Sequence, residues 1–98
     1  MKNYVIAALS GAALILSGQV MAADIEAGKT KAAEVCASCH GIDGNSPAPA
    51  FPKIGGQYRT YLEKVLKDYK SGTRNDPIMA GMAAGLTPAD IDNLAFYY

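Results

Sequence analysis

The sequence predicts an all-α domain, and three observations carry that prediction. Apolar residues between positions 58 and 71 recur at spacings of three and four, which places them on one face of a helix. Thr87 and Pro88 form a helix-start signal near the end of the chain. No stretch shows the sustained alternation and β-branched enrichment that are typical of strands.

The start of the chain is predicted to be a secretory signal peptide, residues 1–22, and not part of the domain. Lys2 is the only charge of this segment, an apolar run broken by one serine and one glycine occupies residues 4–16, and small and polar residues lead to Ala22. Cleavage after Ala22 would release a domain of residues 23–98 into the periplasm.

A retained membrane anchor is the alternative for the same segment. Crossing the hydrocarbon core takes about 20 predominantly apolar residues. The run of residues 5–16 is too short, although the uncharged span from Asn3 to Ala23 could be stretched to fit as a tilted helix. We therefore expect a cleaved signal, with membrane contact only through partner complexes or through such an uncleaved anchor.

The predicted domain is short of large core residues. Of its 76 residues 34 are apolar, but 12 of these are alanine. A domain of this size buries only about 60% of its unfolded surface, and one poor in large side chains usually depends on a disulfide, a metal or a cofactor. Its eight basic and nine acidic residues leave it slightly acidic, which argues against nucleic-acid binding.

The first predicted helix is capped by Asp24 and runs to about Ala37. Gly28 lies inside it, where glycine costs about 1 kcal/mol relative to alanine, and so indicates close contact with another element. His40 to Gln57 then holds four glycines and three prolines, which predicts a long loop without regular structure. Such a loop is uncommon unless it is functional or lies on something that orders it, such as a bound cofactor.

Two more helices and a second loop are predicted after that loop. An amphipathic helix runs from Tyr58 to Ser71, and Gly72 is placed to end it. The segment from Thr73 to Leu86, rich in small residues, is predicted to be a loop. Thr87 caps the last helix. Its predicted buried face consists of Ile91, Leu94, Ala95 and Tyr98.

Cys36, Cys39 and His40 form a C-x-x-C-H sequence. At this spacing two thiols can add to the two vinyl groups of one haem, while the adjacent imidazole binds its iron. His40 is the only histidine of the chain, so no other protein imidazole competes for that position. Three other uses remain open. A thioredoxin-like redox pair belongs with a βαβ pattern, a zinc site would need a carboxylate as fourth ligand, and a disulfide would close a very short loop.

Residues 24–98 resemble a small single-haem class I c-type cytochrome, and also one half of the two-haem periplasmic members of that group. The resemblance rests on the C-x-x-C-H sequence, on Gly28 and on a methionine-containing segment at residues 75–82. It implies three to four helices packed around one covalently bound haem c. It also implies that Gly28 lets the first and last helices cross closely, with Phe96 or Tyr97 as the aromatic partner.

The resemblance further implies the axial ligands and a supporting hydrogen bond. In this family a proline carbonyl accepts the Nδ1–H of the haem histidine, which fixes the ring and strengthens it as a ligand. Pro49 matches that position, with Pro47 as the nearby alternative. The first methionine of an M-x-x-M pair is generally the sixth ligand, which assigns Met79 to the iron opposite His40, with Met82 as the alternative.

These assignments predict an electron carrier and not an enzyme. An iron closed on both axial sides, by His40 and Met79, favours one-electron transfer over substrate chemistry. The expected partners are redox proteins that donate and accept electrons through small, transient interfaces. Two alternatives are a haem-containing subunit of a larger oxidoreductase complex and a haem sensor or enzyme with a labile sixth ligand.

Overall fold

The computed structural model describes residues 23–98, and every regular element in that range is a helix. The predicted signal peptide, residues 1–22, lies outside the described residues. In chain order the elements are α1 (Ile25–Lys31), a π-helical turn (Ala32–Cys36), α2 (Ala37–His40), α3 (Arg59–Ser71), α4 (Pro77–Ala83) and α5 (Pro88–Tyr97). The all-α prediction is confirmed. Within the same residues, no helix combines the length and apolarity needed to span a membrane.

α1, the π-helical turn and α2 form one continuous helical segment. The Asp24 carboxylate caps its start by accepting the Ala27 N–H at 3.0 Å. In the π-helical turn the Ala37 N–H reaches back five residues to the Ala32 carbonyl. The segment ends at Gly41, whose φ of 84° is a value that glycine adopts without steric cost. The helix therefore continues three residues beyond its predicted end.

α1 and α5 cross at Gly28. This glycine is buried, and a Cβ added to it would lie 2.2 Å from the Asn93 carbonyl oxygen and 3.0 Å from the Tyr97 Cβ. The Asn93 side chain also accepts the Asp24 N–H at 2.8 Å, which ties the start of α1 to α5. The predicted close crossing is confirmed. Its aromatic partner is Tyr97, while Phe96 is about half exposed.

α3 begins one residue later than predicted, ends at Ser71 as predicted, and buries only part of the predicted apolar face. Tyr58 is its N-cap, and Gly72 ends it in the left-handed conformation with φ of 85°. Leu62 is buried, whereas Tyr58 and Tyr61 at the start of the helix are exposed. Leu66 is half-buried and packs against the core. The apolar face is therefore covered at Leu62 and Leu66, and it is open to solvent at Tyr58 and Tyr61.

α4 corrects the prediction of an uninterrupted loop from Thr73 to Leu86. The Asp76 carboxylate accepts the N–H groups of Ile78 at 3.0 Å and Met79 at 3.1 Å, and Pro77 occupies the first helical position. These groups start a helix of seven residues. The prediction is wrong because a helix this short has too few turns to show an apolar repeat, so only its cap marks it.

α5 begins as predicted, with a reciprocal pair of cap hydrogen bonds. The Asp90 N–H donates to Thr87 Oγ1 at 3.0 Å, and the Thr87 N–H donates to Asp90 Oδ2 at 2.9 Å. Seven apolar residues are buried in the described part of the chain, and three of them are alanine. They are Ala32, Leu62, Ala83, Leu86, Ile91, Leu94 and Ala95. This small, alanine-containing core agrees with the shortage of large apolar side chains that the composition predicts.

Candidate functional site

Two thiols and an imidazole lie together at the end of the first helical segment. Cys36 is the last residue of the π-helical turn, and Cys39 and His40 end α2. Both cysteines are half-buried free thiols, so the alternative of a local disulfide is not what the structure forms. Within residues 23–98 the structure shows no cluster of three or more His, Cys, Asp or Glu side chains that could by itself hold a metal ion.

The His40 ring is held by a proline carbonyl, but not by the predicted one. His40 is only 7% exposed, and its Nδ1 lies 2.7 Å from the carbonyl oxygen of Pro52. The prediction of Pro49 is wrong, and its alternative Pro47 is not the partner either. The chain turns after Ala48, whose carbonyl accepts the Phe51 N–H at 3.1 Å, and this brings the later proline to the ring.

This hydrogen bond sets the chemistry of the imidazole. A carbonyl oxygen can only accept, so Nδ1 carries the proton and donates to Pro52. The other ring nitrogen, Nε2, then has its lone pair free to bind a metal. The bond also fixes the ring orientation and increases its basicity as a ligand. His40 is therefore prepared to act through Nε2.

The loop from residue 41 to residue 57 is pinned internally and to the end of α5. The Gly44 carbonyl accepts the N–H groups of Ile54 at 2.9 Å and Gly55 at 3.0 Å. The Gly56 N–H donates to the Tyr98 carbonyl at 3.1 Å. As predicted, the loop contains no helix or strand. These contacts fix the path of the segment that carries the carbonyl bound to His40.

The two methionines lie on α4 with different exposure. Met79 is half-buried in the first turn, where its N–H is bound by the Asp76 carboxylate. Met82 is 46% exposed. At the other end of α4, the Lys70 ammonium of α3 donates a hydrogen bond to the carbonyl of Ala84, the residue after the helix, at 2.8 Å. Both ends of α4 are thus held by polar contacts, and Met79 is the methionine that is more withdrawn from solvent.

The Tyr98 hydroxyl is buried and has no hydrogen-bond partner among residues 23–98. Burial raises the pKa of the Cys36 thiol, and the adjacent Tyr98 hydroxyl lowers it in part. Burial and the neighbouring Cys36 also raise the pKa of Tyr98, so the phenol stays protonated. An unpaired buried hydroxyl costs about 1–3 kcal/mol. It therefore points to a group that completes the site.

The donor set of this site fits haem c. Two half-buried thiols stand three residues apart, and the buried imidazole beside them has one free nitrogen. A half-buried thioether is available on a separate helix, at Met79. Sulfur and imidazole donors suit iron in haem, and the small core leaves an apolar deficit that a macrocycle can fill. Sequence reasoning missed Pro52 as the partner of His40, for which the prolines of the loop were the available signal.

An all-helical domain with two thiols and a carbonyl-bound histidine at one helix end is the arrangement of a c-type cytochrome. The cytochrome c family model matches residues 25–97, and the chain belongs to the cytochrome c family. The resemblance to class I c-type cytochromes is confirmed. Membership in this family makes covalently bound haem c the cofactor, and one haem agrees with the size of the domain.

Curated relatives include two kinds of cytochrome. Cytochrome c4 of Pseudomonas aeruginosa is 48% identical over 77 residues, which cover 79% of this chain and 38% of the relative. Cytochrome c-554(548) of Halomonas halodenitrificans is 44% identical, covering 79% of this chain and 95% of the relative. A solved structure, reduced recombinant cytochrome c4 from Pseudomonas stutzeri, matches with a TM-score of 0.71 and 46% identity over 78% of this chain and 44% of that one. The chain thus spans about two fifths of the cytochrome c4 relatives and nearly all of the smaller one.

Proposed function

We propose that the domain is a one-electron carrier whose single haem c is attached through Cys36 and Cys39 and has His40 and Met79 as axial ligands. One observation carries this proposal, namely the buried His40 ring beside the two thiols, with its Nδ1 held 2.7 Å from the Pro52 carbonyl. When bound, the haem supplies an iron that accepts and releases a single electron. The remaining chemistry belongs to residues of this chain.

The two cysteines and the histidine have different roles in binding the cofactor. Cys36 and Cys39, at the end of one helical segment, would fix the position of the haem through thioether bonds. His40 presents Nε2 to the iron, because the Pro52 carbonyl holds the opposite side of the ring. Since the helix, the loop and α5 are joined by backbone hydrogen bonds, this geometry should change little between the two oxidation states.

Met79 is proposed as the sixth ligand, with Met82 as the alternative. Its partial burial and its position in the capped first turn of α4 support the choice, since Met82 lies further toward solvent. With both His40 and Met79 as ligands, a bound haem iron would have no open position for a substrate. The proposed protein therefore transforms no substrate and is not an enzyme.

We also propose that the protein works after export. Residues 1–22 act as a signal peptide cleaved after Ala22, and the domain functions in the periplasm. Its partners are redox proteins that meet it through small, transient contacts. One relative, from Stutzerimonas stutzeri, is named a thiosulfate dehydrogenase electron acceptor and is 42% identical over 86% of this chain. That name supports a role in passing electrons from a larger enzyme.

A second candidate is a haem-containing subunit of an oxidoreductase complex. It is favoured by a relative from Chlorobaculum tepidum named as the cytochrome subunit of sulfide dehydrogenase, 41% identical over 64% of this chain. A free carrier should be monomeric and should exchange electrons with several unrelated donors. A dedicated subunit should co-purify with one enzyme and react slowly with others.

The carrier proposal is tested by a redox titration of the haem-loaded protein with carbon monoxide added to the reduced form. We expect a single one-electron wave, low-spin spectra in both oxidation states and no rapid carbon monoxide binding. A high-spin spectrum with rapid carbon monoxide binding would contradict it and would instead support a sensor or enzyme with a labile sixth ligand.

A further inference from the structure

The carbonyl that holds the His40 ring belongs to an exposed residue of the loop. Pro52 and the following Lys53 are both exposed, so burial of their side chains does not fix the direction of this carbonyl. Its oxygen nevertheless lies 2.7 Å from His40 Nδ1, a short hydrogen-bond distance. The bond orients the ring and increases its basicity. Whatever holds Pro52 in place therefore also controls the imidazole.

The nearest backbone contact after Pro52 is made by Gly44. The Gly44 carbonyl accepts the N–H groups of Ile54 at 2.9 Å and Gly55 at 3.0 Å. Only one residue separates this pair of hydrogen bonds from Pro52, so a displacement of Ile54 is passed on to the proline carbonyl. The exposed part of the loop is thus tied to the interior through Gly44.

Gly44 is itself fixed relative to the helix that carries the imidazole. The Gly41 N–H donates to the Ala37 carbonyl at 2.9 Å, and the Gly44 N–H donates to the Gly41 carbonyl at 3.1 Å. The Asp43 carboxylate accepts the Asn45 N–H at 2.9 Å, which holds the turn from its outer side. A short series of hydrogen bonds therefore leads from the end of α2 to the loop segment that faces the ring.

The approach of the two loop segments leaves no room for a side chain at Gly44. This residue is buried, and a Cβ added to it would stand 2.6 Å from the Gly55 nitrogen and 2.9 Å from Cδ1 of the Tyr98 ring. From the opposite side, a Cβ added to Gly55 would stand 2.6 Å from the Asp43 carbonyl oxygen. Backbone atoms cannot rotate away as a side chain can. A methyl group at either glycine must therefore push the segments apart.

We propose that Gly44 is a positioning residue for the haem ligand, because its lack of a side chain lets residues 54 and 55 close on it and directs the Pro52 carbonyl onto His40 Nδ1. The proposal rests on the proposed binding of haem iron by His40. The hydrogen bond makes the imidazole more basic, and a more basic ligand favours the oxidised iron. Gly44 therefore lowers the reduction potential through the histidine.

The test compares Gly44→Ala with Gly72→Ala in the haem-loaded protein. Gly72 is the matched control, because its φ of 85° equals the 83° of Gly44 within 2°, but an added Cβ there meets no atom within 4 Å. We expect Gly44→Ala to raise the midpoint potential. In proton NMR of the reduced protein, the His40 Nδ1–H resonance should move upfield and exchange with solvent several-fold faster. Gly72→Ala should lose stability through its φ but keep the potential and the resonance.

Gly55→Ala is a second variant, which widens the same approach without a positive φ at the substituted residue. It should change the potential and the His40 resonance in the same direction as Gly44→Ala. If both variants keep the potential and the resonance of the unmutated protein, the proposal is overturned. Changes of equal size in Gly72→Ala would overturn it as well, because they would show an effect of φ alone.

Hydrogen exchange of the unmutated haem-loaded protein gives a test that needs no variant. The His40 Nδ1–H and the N–H groups of Ile54 and Gly55 should have equal free energies of opening, because one contact holds all three. Different values would contradict the role of Gly44, including where neither glycine variant binds haem. Intact mass separates the two levels of failure, since an unmutated protein without bound haem refutes the proposed function itself.

Discussion

Gly28 of α1 and Asn93 of α5 approach so closely that a Cβ on the glycine would stand 2.2 Å from the Asn93 carbonyl oxygen. The contact is backbone to backbone, so no side-chain rotation can relieve it. The Asn93 side chain adds a hydrogen bond to the Asp24 N–H at 2.8 Å. This crossing joins the helix that carries Cys36 to the helix that ends beside it.

Replacing Gly28 by alanine should therefore destabilise the haem-loaded protein. Overpacking a tight contact typically costs about 1–3 kcal/mol, and here the helices must separate to admit the methyl group. Guanidinium unfolding followed by haem absorbance measures the loss as a lower midpoint. Gly85→Ala is the matched control, because an added Cβ there meets no atom within 4 Å. Equal midpoints for the two variants would contradict the crossing.

Met79→Ala and Met82→Ala should differ in the spectrum of the oxidised protein. The proposed sulfur ligand gives a sulfur-to-iron charge-transfer band at the red end of the visible range. We expect Met79→Ala to abolish that band and Met82→Ala to keep it, because Met79 is half-buried and Met82 is 46% exposed. Absorbance spectra of both variants decide the matter. Loss of the band in Met82→Ala and its retention in Met79→Ala would instead identify Met82 as the sixth ligand.

Lys70→Met should loosen the attachment of α4 to α3. The Lys70 ammonium donates to the Ala84 carbonyl at 2.8 Å, just after α4 ends. An exposed charged contact is worth about 0.5 kcal/mol, which corresponds to about 2–4 °C in a domain of this size. We expect the sulfur-to-iron band to disappear at a correspondingly lower temperature. Lys64→Met is the control, since Lys64 pairs with Asp68 of its own helix, and an equal effect of both substitutions would argue against the link.

The cap of α5 should make stability depend on pH in the acid range. The Thr87 N–H holds the pKa of Asp90 below its usual value of about 3.9. Because the folded-state pKa is lowered, the stabilisation is complete above the unfolded value and is lost as pH falls through the folded value. Asp90→Asn should therefore lower the melting temperature at pH 7, and the difference from the unmutated protein should shrink below about pH 4.

Thermal melts of the haem-loaded protein across pH measure this effect. Asp92→Asn provides the control, because Asp92 is an exposed carboxylate on the same helix. A difference between Asp90→Asn and the unmutated protein that stays constant from pH 7 into the acid range would show that the Asp90 charge does not strengthen the cap.

The parts of the fold predicted from sequence are those with local signals. The apolar spacing from residue 58 to residue 71 predicted α3, and the Thr87 and Asp90 pair predicted the start of α5. The exposure of Tyr58 and Tyr61 was not predictable, because the spacing defines an apolar face but not what covers it. α4 was missed, although Asp76 carried the same kind of cap as Thr87.

In the site, too, the features predicted from sequence are those with a local signal. The grouping of Cys36, Cys39 and His40 follows from adjacency on one helical segment. The partner of His40 depends on the path of a loop with several turns. Counting residues from the histidine therefore predicted the Pro49 carbonyl, whereas the structure has the Pro52 carbonyl at this position. The burial of the Tyr98 hydroxyl depends on how α5 packs against the rest of the domain, which the spacing of apolar residues does not predict.

Intact mass combined with a pyridine haemochrome spectrum tests the central claim most directly, using the full chain exported in a host that attaches haem c. The account predicts the mass of residues 23–98 plus one haem, with the spectrum of a haem whose two vinyl groups are both saturated. Such a result would establish cleavage, cofactor and linkage through Cys36 and Cys39 together. A mass lower than that of the reduced chain by two hydrogens, with no haem absorbance, would show a disulfide and contradict the account.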